Sequence, residues 1–370
     1  IYDKGAITMK IFVQYNRKIV SSGDFVVSAD ITYTGENQEI KADLFYFMIG
    51  ENRLTIKKIT EKNKQIHFDF NCNDQLSTLK FDMDKFVNVE KLPQIMVHYD
   101  IPLEDLEVEI SYKADPILND FEHKVIQTKR IQFGYNLYSA DNSDAKSPLV
   151  IFLHGSGERG FNNNLPLLAN DIPKKVYNYM KKTGSGVLVV PQTTWSADMT
   201  GWFRAEFQES LKQLINKTIV EHKIDRNRVY LIGLSNGASA SWYLAQKFPE
   251  MFAAVVPCSG YVYNEGKEFL GEKGQGRYMT PTDEEAKKLL NVPIWAFHGE
   301  NDPTVNVLGT KLIVNKIKKF GGNNVKETIY PKGALIPNPH ASWSLAFKEN
   351  DVIDWLFSQN KEKVLLTKNN

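Results

Sequence analysis

Through Tyr112, apolar and polar positions alternate in short runs. Ile7 to Val13 follows this pattern, and it recurs in Phe25 to Tyr33, Ile40 to Phe47, Leu54 to Ile59, Gln65 to Phe70, Thr78 to Phe81, Gln94 to Tyr99 and Leu106 to Tyr112. A period of two puts successive side chains on opposite faces of a pleated strand, so each run predicts a strand with one buried face. Turn-forming clusters separate them, Thr34-Gly35-Glu36-Asn37 and Asn71-Cys72-Asn73-Asp74 among them. About eight short strands at this spacing predict a β-sandwich, here over residues 1–114.

Past Asp115-Pro116 the pattern changes. Val125 to Gln132 and Tyr135 to Ser139 predict a hairpin. Near-continuous apolar runs follow at Leu149 to Leu153, Val187 to Val190, Val229 to Ile232, Ala253 to Val256, Pro293 to Phe297 and Val325 to Tyr330. Between them lie helix-like segments at Ile172 to Lys182, Ala205 to His222, Ala238 to Phe248, Val307 to Phe320 and Asn350 to Ser358. Strands that are apolar throughout are covered on both faces, and alternation with helices makes a doubly wound, mostly parallel sheet. Residues 115–370 therefore predict an α/β domain. Its chemistry should collect at the carboxyl ends of the strands.

Composition narrows the function classes. The chain has 370 residues, enough for two domains, with 45 basic and 44 acidic side chains and a net charge of +1. The charges are interspersed, so no field favours nucleic acid or an anionic membrane as partner. Two cysteines, Cys72 and Cys258, are too few for a disulfide framework and are expected to be free, mostly packed thiols. No run approaches the roughly 18 to 20 apolar residues that span a bilayer. The chain starts at Ile1 without an initiator methionine. Removal of a leader, favouring a secreted or extracytoplasmic setting, is one expectation, and trimming of the chain is the other.

The candidate chemistry starts at Arg228 to Ile232, an apolar strand that runs into Gly233-Leu234-Ser235-Asn236-Gly237, with helix-forming residues next. A sharp strand-to-helix turn lifts a serine hydroxyl clear of the sheet and needs small neighbours in its crowded backbone. With glycine near 7% of residues, Gly-x-Ser-x-Gly arises by chance in roughly one chain in ten of this length. The weight therefore falls on the partners of Ser235. Upstream, the strand Leu149 to Leu153 ends in His154-Gly155-Ser156-Gly157-Glu158-Arg159-Gly160. A glycine-rich turn there supplies main-chain N–H groups for an oxyanion. The donors are assigned to Asn236 and to Ser156, with Gly157 as the alternative to Ser156. His154 is read as a residue that orients the turn. No Gly-Lys-Ser/Thr follows, so the turn is not a P-loop.

Val292 to Phe297 leads into His298-Gly299-Glu300-Asn301-Asp302-Pro303. A carboxylate just past a strand end can hold an imidazole in one tautomer. Asp302 is preferred to its rival Glu300, because Asn-Asp-Pro turn chemistry fixes a short side chain. His340, in Pro337-Asn338-Pro339-His340-Ala341-Ser342-Trp343, follows the last strand and completes the order Ser, Asp, His. Trp195, Trp202 and Trp343 are candidates for a substrate cleft. A full set of reacting groups argues against a catalytically inactive binding module.

These motifs together resemble one branch of the α/β-hydrolases, over about residues 147–357. That branch includes predicted peptidases, polyhydroxybutyrate depolymerases and feruloyl or acetylxylan esterases. Two-domain bacterial serine esterases with an immunoglobulin-like N-terminal domain are similar in layout. The resemblance implies a carboxylesterase acting on short acyl esters, small or polysaccharide-linked, with no cofactor or metal. It also implies oligomerisation through the N-terminal domain. The elbow departs from the common Ser-Met-Gly-Gly by reading Ser-Asn-Gly-Ala, which brings the polar Asn236 beside the acyl site. The stretch 261–290, with Gly271, Gly274 and Gly276, exceeds a plain crossover and is either a cap over the site or a solvated insertion.

Overall fold

The computed structural model describes residues 9–34, 40–100, 106–140, 146–194 and 201–362. The chain divides into two compact units. One comprises Ile1–Phe81, Asn88–Leu118 and Leu168–Asn170, and the other Asp82–Val87, Asn119–Leu167 and Asp171–Asn370.

The first unit is all-β. Its strands are β1 (Met9–Val20), β2 (Gly23–Thr34), β3 (Phe45–Ile49), β4 (Asn52–Arg53), β5 (Ile56–Lys62), β6 (Gln65–Phe70), β7 (Leu79–Asp82), β8 (Val87–Glu90), β9 (Met96–Tyr99) and β10 (Leu106–Lys113), with Asp82 of β7 and Val87 of β8 counted in the second unit. A five-stranded sheet runs in the order β10-β1-β2-β6-β5, and β4-β3-β9 forms a second sheet. Alternation does what it predicts: Met9, Ile11, Val13 and Tyr15 of β1 point into one core. Phe47 joins the two sheets there, edge-to-face on Phe68 and Phe70 at 5.1 and 5.0 Å. The run Ile40 to Phe47 is not all strand. Ala42–Leu44 forms a 3-10 turn, and Glu61 Oε1 accepts from Ala42 N–H at 2.9 Å. Aspartate at position 43 disfavours a pleated backbone.

The second unit holds an eight-stranded sheet of β11 (Glu122–Gln127), β12 (Gln132–Ser139), β13 (Ser147–Leu153), β14 (Val187–Pro191), β15 (Ile224–Leu234), β16 (Ala254–Cys258), β17 (Ile294–Gly299) and β18 (Val325–Tyr330). Their order is β11-β12-β14-β13-β15-β16-β17-β18. The hairpin β11–β12 and the β12–β14 pair are antiparallel, and all pairs from β14 through β18 are parallel. Every residue of β13, β14 and β16 is buried, as strands covered on both faces require. The covering helices include Ile172–Thr183, Ala205–Glu221, Asn236–Lys247, Leu308–Lys319 and Asp351–Ser358. A short helix, Asp283–Lys288, escaped the periodicity, although its capping box of Thr282 and Glu285 is written in the sequence. Among the described residues no helix is long and apolar enough to cross a membrane. Cys258 is buried, whereas Cys72 is exposed and corrects the expectation of packing for both; neither forms a disulfide.

Candidate active site

Ser235 sits between β15 and the helix Asn236–Lys247 with φ 53° and ψ −119°. A positive φ is costly for a residue with a Cβ, and it persists here because the surroundings leave no alternative. A Cβ on Gly233 would stand 2.2 Å from Gly237 O, and one on Gly237 would stand 2.0 Å from Leu153 O. Ser235 N–H donates to Cys258 O at 2.8 Å, which ties the elbow to the neighbouring strand.

His340 meets this serine from a loop beyond β18. Its Nε2 lies 2.8 Å from Ser235 Oγ, and its Nδ1 lies 2.7 Å from Asp302 Oδ2. An ionised carboxylate only accepts, so Nδ1 carries the proton and Nε2 is bare toward the hydroxyl. Asp302 is 2% exposed. Burial pushes its carboxyl up, but hydrogen bonds from His298 and His340 outweigh this and hold it well below the usual carboxylate range. Its Oδ1 accepts from the N–H groups of Thr304 and Val305 at 2.8 and 3.0 Å. Glu300 faces elsewhere: it is exposed, and its Oε2 accepts from Lys332 N–H at 3.2 Å.

The turn His154 to Gly160 lies against the serine, because a Cβ on Gly155 would be 3.3 Å from Ser235 Cβ. His154 is fully buried; Nδ1 donates to Gly155 O at 2.6 Å, and Nε2 accepts from Thr193 N–H at 3.1 Å. Burial holds its pKa down to about 4, which keeps this tautomer neutral. Arg159, 2% exposed, donates from Nε to Ser156 O at 2.8 Å and from a terminal nitrogen to Phe86 O at 2.9 Å within the same unit. With the carbonyls of Gly155 and Ser156 held in this way, the N–H groups of Ser156 and Gly157 point to the opposite side of their peptide planes. Burial also pushes the Glu158 carboxyl up to about 7.

The three tryptophans separate. Trp343 stands edge-on to the His340 ring, with centroids 5.5 Å apart. Trp202 corrects the cleft expectation: it is 2% exposed and donates from its indole N–H to His154 O at 3.1 Å, so it supports the turn from inside the core. From sequence alone a buried tryptophan and a cleft tryptophan look the same. Trp195 lies outside the described residues. One group was missed. His298 is fully buried, with Nε2 3.3 Å from Asp302 Oδ2, and its signal is an imidazole four residues before the acid. A groove of about 530 Å³ lined by Phe203, Tyr243, Lys247 and Tyr263 includes none of these groups.

A hydroxyl bonded to an imidazole backed by a carboxylate, beside the main-chain N–H groups of a tight turn, can perform acyl transfer. The model of the phospholipase/carboxylesterase family matches residues 139–344. Acyl-protein thioesterase 1 of Debaryomyces hansenii is 28% identical over 222 residues, 52% of this chain and 85% of that protein. The bifunctional acetylxylan esterase/xylanase of Neocallimastix patriciarum is 28% identical over 175 residues, 46% of this chain and only 22% of that protein. Among solved structures, a thermostable esterase aligns over 96% of this chain and 100% of its own, with 25% identity and a TM-score of 0.75.

Proposed function

The chain belongs to the phospholipase/carboxylesterase family, and on that premise we propose that it is a serine carboxylesterase for short acyl esters, working through Ser235, His340 and Asp302. The observation that carries this reading is the unbroken hydrogen-bonded line from Ser235 Oγ through His340 to Asp302. His340 Nε2 takes the hydroxyl proton as Ser235 attacks the ester carbonyl. Asp302 stabilises the imidazolium that forms. The main-chain N–H groups of Asn236 and Ser156 hold the oxyanion of the tetrahedral intermediate. The imidazolium then protonates the leaving alcohol. Water, deprotonated by the same nitrogen, releases the carboxylic acid and restores Ser235. We further take the all-β unit to be an immunoglobulin-like sandwich that joins copies of the chain; sedimentation of the whole protein tests that point.

Ser235→Ala should reduce hydrolysis of p-nitrophenyl butyrate by about 10⁴-fold or more, and a fluorophosphonate should no longer label the protein. Wild-type turnover by that variant would end the reading. The likeness to the acetylxylan esterase/xylanase supports a second reading, in which the acyl group is carried on a polysaccharide. Rates on acetylated xylan and on simple aryl acetates, measured side by side, separate the two.

A further inference from the structure

The segment 261–290 is laced to the loop that carries Asp302. Arg277 pairs with Val305 in a parallel bridge. Its N–H donates to Thr304 O at 3.2 Å, and its carbonyl accepts from Asn306 N–H at 3.2 Å. Asn306 Nδ2 adds a bond to Gln275 O at 2.8 Å. The two chains touch at Gly276, where φ is +73° and a Cβ would meet Asn306 N at 2.6 Å.

The peptide groups gripped by Arg277 also serve the acid. Val305 N–H, on the peptide whose oxygen takes the Arg277 N–H, donates to Asp302 Oδ1 at 3.0 Å. The next carbonyl, Val305 O, accepts from His298 Nε2 at 2.9 Å. That same nitrogen lies 3.3 Å from Asp302 Oδ2, the oxygen bonded to His340 at 2.7 Å. His298 Nδ1 is held at 2.8 Å by Thr310 Oγ1. Asp302 thus has two main-chain donors on one oxygen and two imidazoles on the other. A buried histidine with both nitrogens satisfied would suffice for packing, but packing does not require its N–H to be shared with the oxygen that holds His340.

We propose that His298 is a positioning residue for ester hydrolysis, and that Gly276-Arg277 is the clamp that keeps His298 and Asp302 in register with His340. This inference rests on the Ser235, His340, Asp302 reading. His298 aims Oδ2 at His340 Nδ1, and the Arg277–Val305 bridge prevents the loop from drifting. The ionisable groups facing His298 are Asp302 and, across that carboxylate, His340; Thr310 closes the other side.

The test compares His298→Leu, His298→Gln and Gly276→Ala in the full chain. kcat and KM for p-nitrophenyl butyrate are taken per site titrated by a fluorophosphonate. A displacement of about 1 Å costs on the order of a hundredfold. His298→Leu and Gly276→Ala should therefore lower kcat per site by tenfold to a hundredfold, by about the same rule, with KM unchanged. His298→Gln, which can place an N–H near the position of Nε2, should recover most of kcat. Wild-type kcat per site, with only the melting temperature lowered, would overturn the proposal. Should His298→Leu fail to fold, Gly276→Ala and His298→Gln decide. Ser235→Ala is the control: activity surviving there ends the triad reading, whereas an inactive Ser235→Ala beside wild-type clamp variants ends only the clamp.

Discussion

The elbow around Ser235 and the loop around Asp302 place the proposed nucleophile and its proposed acid by different means. At the elbow, crowding decides. Gly233 and Gly237 leave no room for a Cβ against main chain of the sheet and the helix, so the strained φ of Ser235 has nowhere to relax. At the acid loop, hydrogen bonds decide. They come from His298 and from the turn itself, from Arg277 and from His340, positions separated widely along the chain. Crowding by regular secondary structure is unforgiving because sheet and helix cannot yield without unfolding. Loops held by hydrogen bonds can yield and stay folded. The elbow should therefore fail by losing the fold, and the acid loop by losing alignment.

A single methyl group at matched glycines tests that difference. In Gly237→Ala the Cβ meets the main-chain oxygen of Leu153, the last residue of β13, at 2.0 Å. The expected loss is about 3 kcal/mol or more, the upper end for overpacking, read from urea unfolding. All six tryptophans lie beyond Leu118, so their fluorescence follows the second unit alone. In Gly299→Ala the Cβ meets Pro339 O at 2.2 Å, but Pro339 belongs to the loop that carries His340 and can move. That variant should remain folded with little change in unfolding midpoint, while kcat falls about tenfold to a hundredfold as His340 is displaced. A stable Gly237→Ala, or a Gly299→Ala as unstable as its counterpart, would break the comparison.

The same distinction explains what could be read in advance. Gly-x-Ser-x-Gly announces itself because the residues that crowd the elbow are four apart in the chain and are themselves glycines. The order of Ser235, Asp302 and His340, and the parallel strands around them, follow from apolar runs that interior positions demand. His298 carried a faint signal, its spacing from Asp302. Arg277 carried none, because its contact with Val305 is made by main chain across a stretch without periodicity. In the all-β unit, Gln65 to Phe70 was legible to the residue because Ile66, Phe68 and Phe70 alternate into the core. Strand β8 was not, since only Val87 of Val87–Glu90 is buried and exposed Val89 blurs the period.

The turn from His154 to Gly160 combines both modes of support, and two of its buried ionisable groups, His154 and Glu158, give the most specific prediction. The folded pKa of His154 is lowered from 6.5 to about 4. Across that window the unfolded chain binds a proton that the folded chain does not, so stability rises with pH. Glu158 works the other way. Its folded pKa is raised from 4.5 to about 7, so the folded chain keeps a proton that the unfolded chain has released, and stability falls with pH. Each effect amounts to about 3 kcal/mol over its window. The windows nearly coincide, and in the wild-type protein the two slopes largely cancel. Glu158→Gln removes one of them while keeping the side chain's shape. Relative to wild type, its unfolding free energy should grow by about 3 kcal/mol between pH 4.5 and pH 7.5 and then stay level. Urea unfolding of both proteins by tryptophan fluorescence at pH 4.5, 6 and 7.5 measures it. A difference that stays constant over that range would mean that the Glu158 carboxyl titrates in the folded protein as it does in the unfolded chain. The turn would then be held by its hydrogen bonds alone, with no contribution from the protonation state of Glu158.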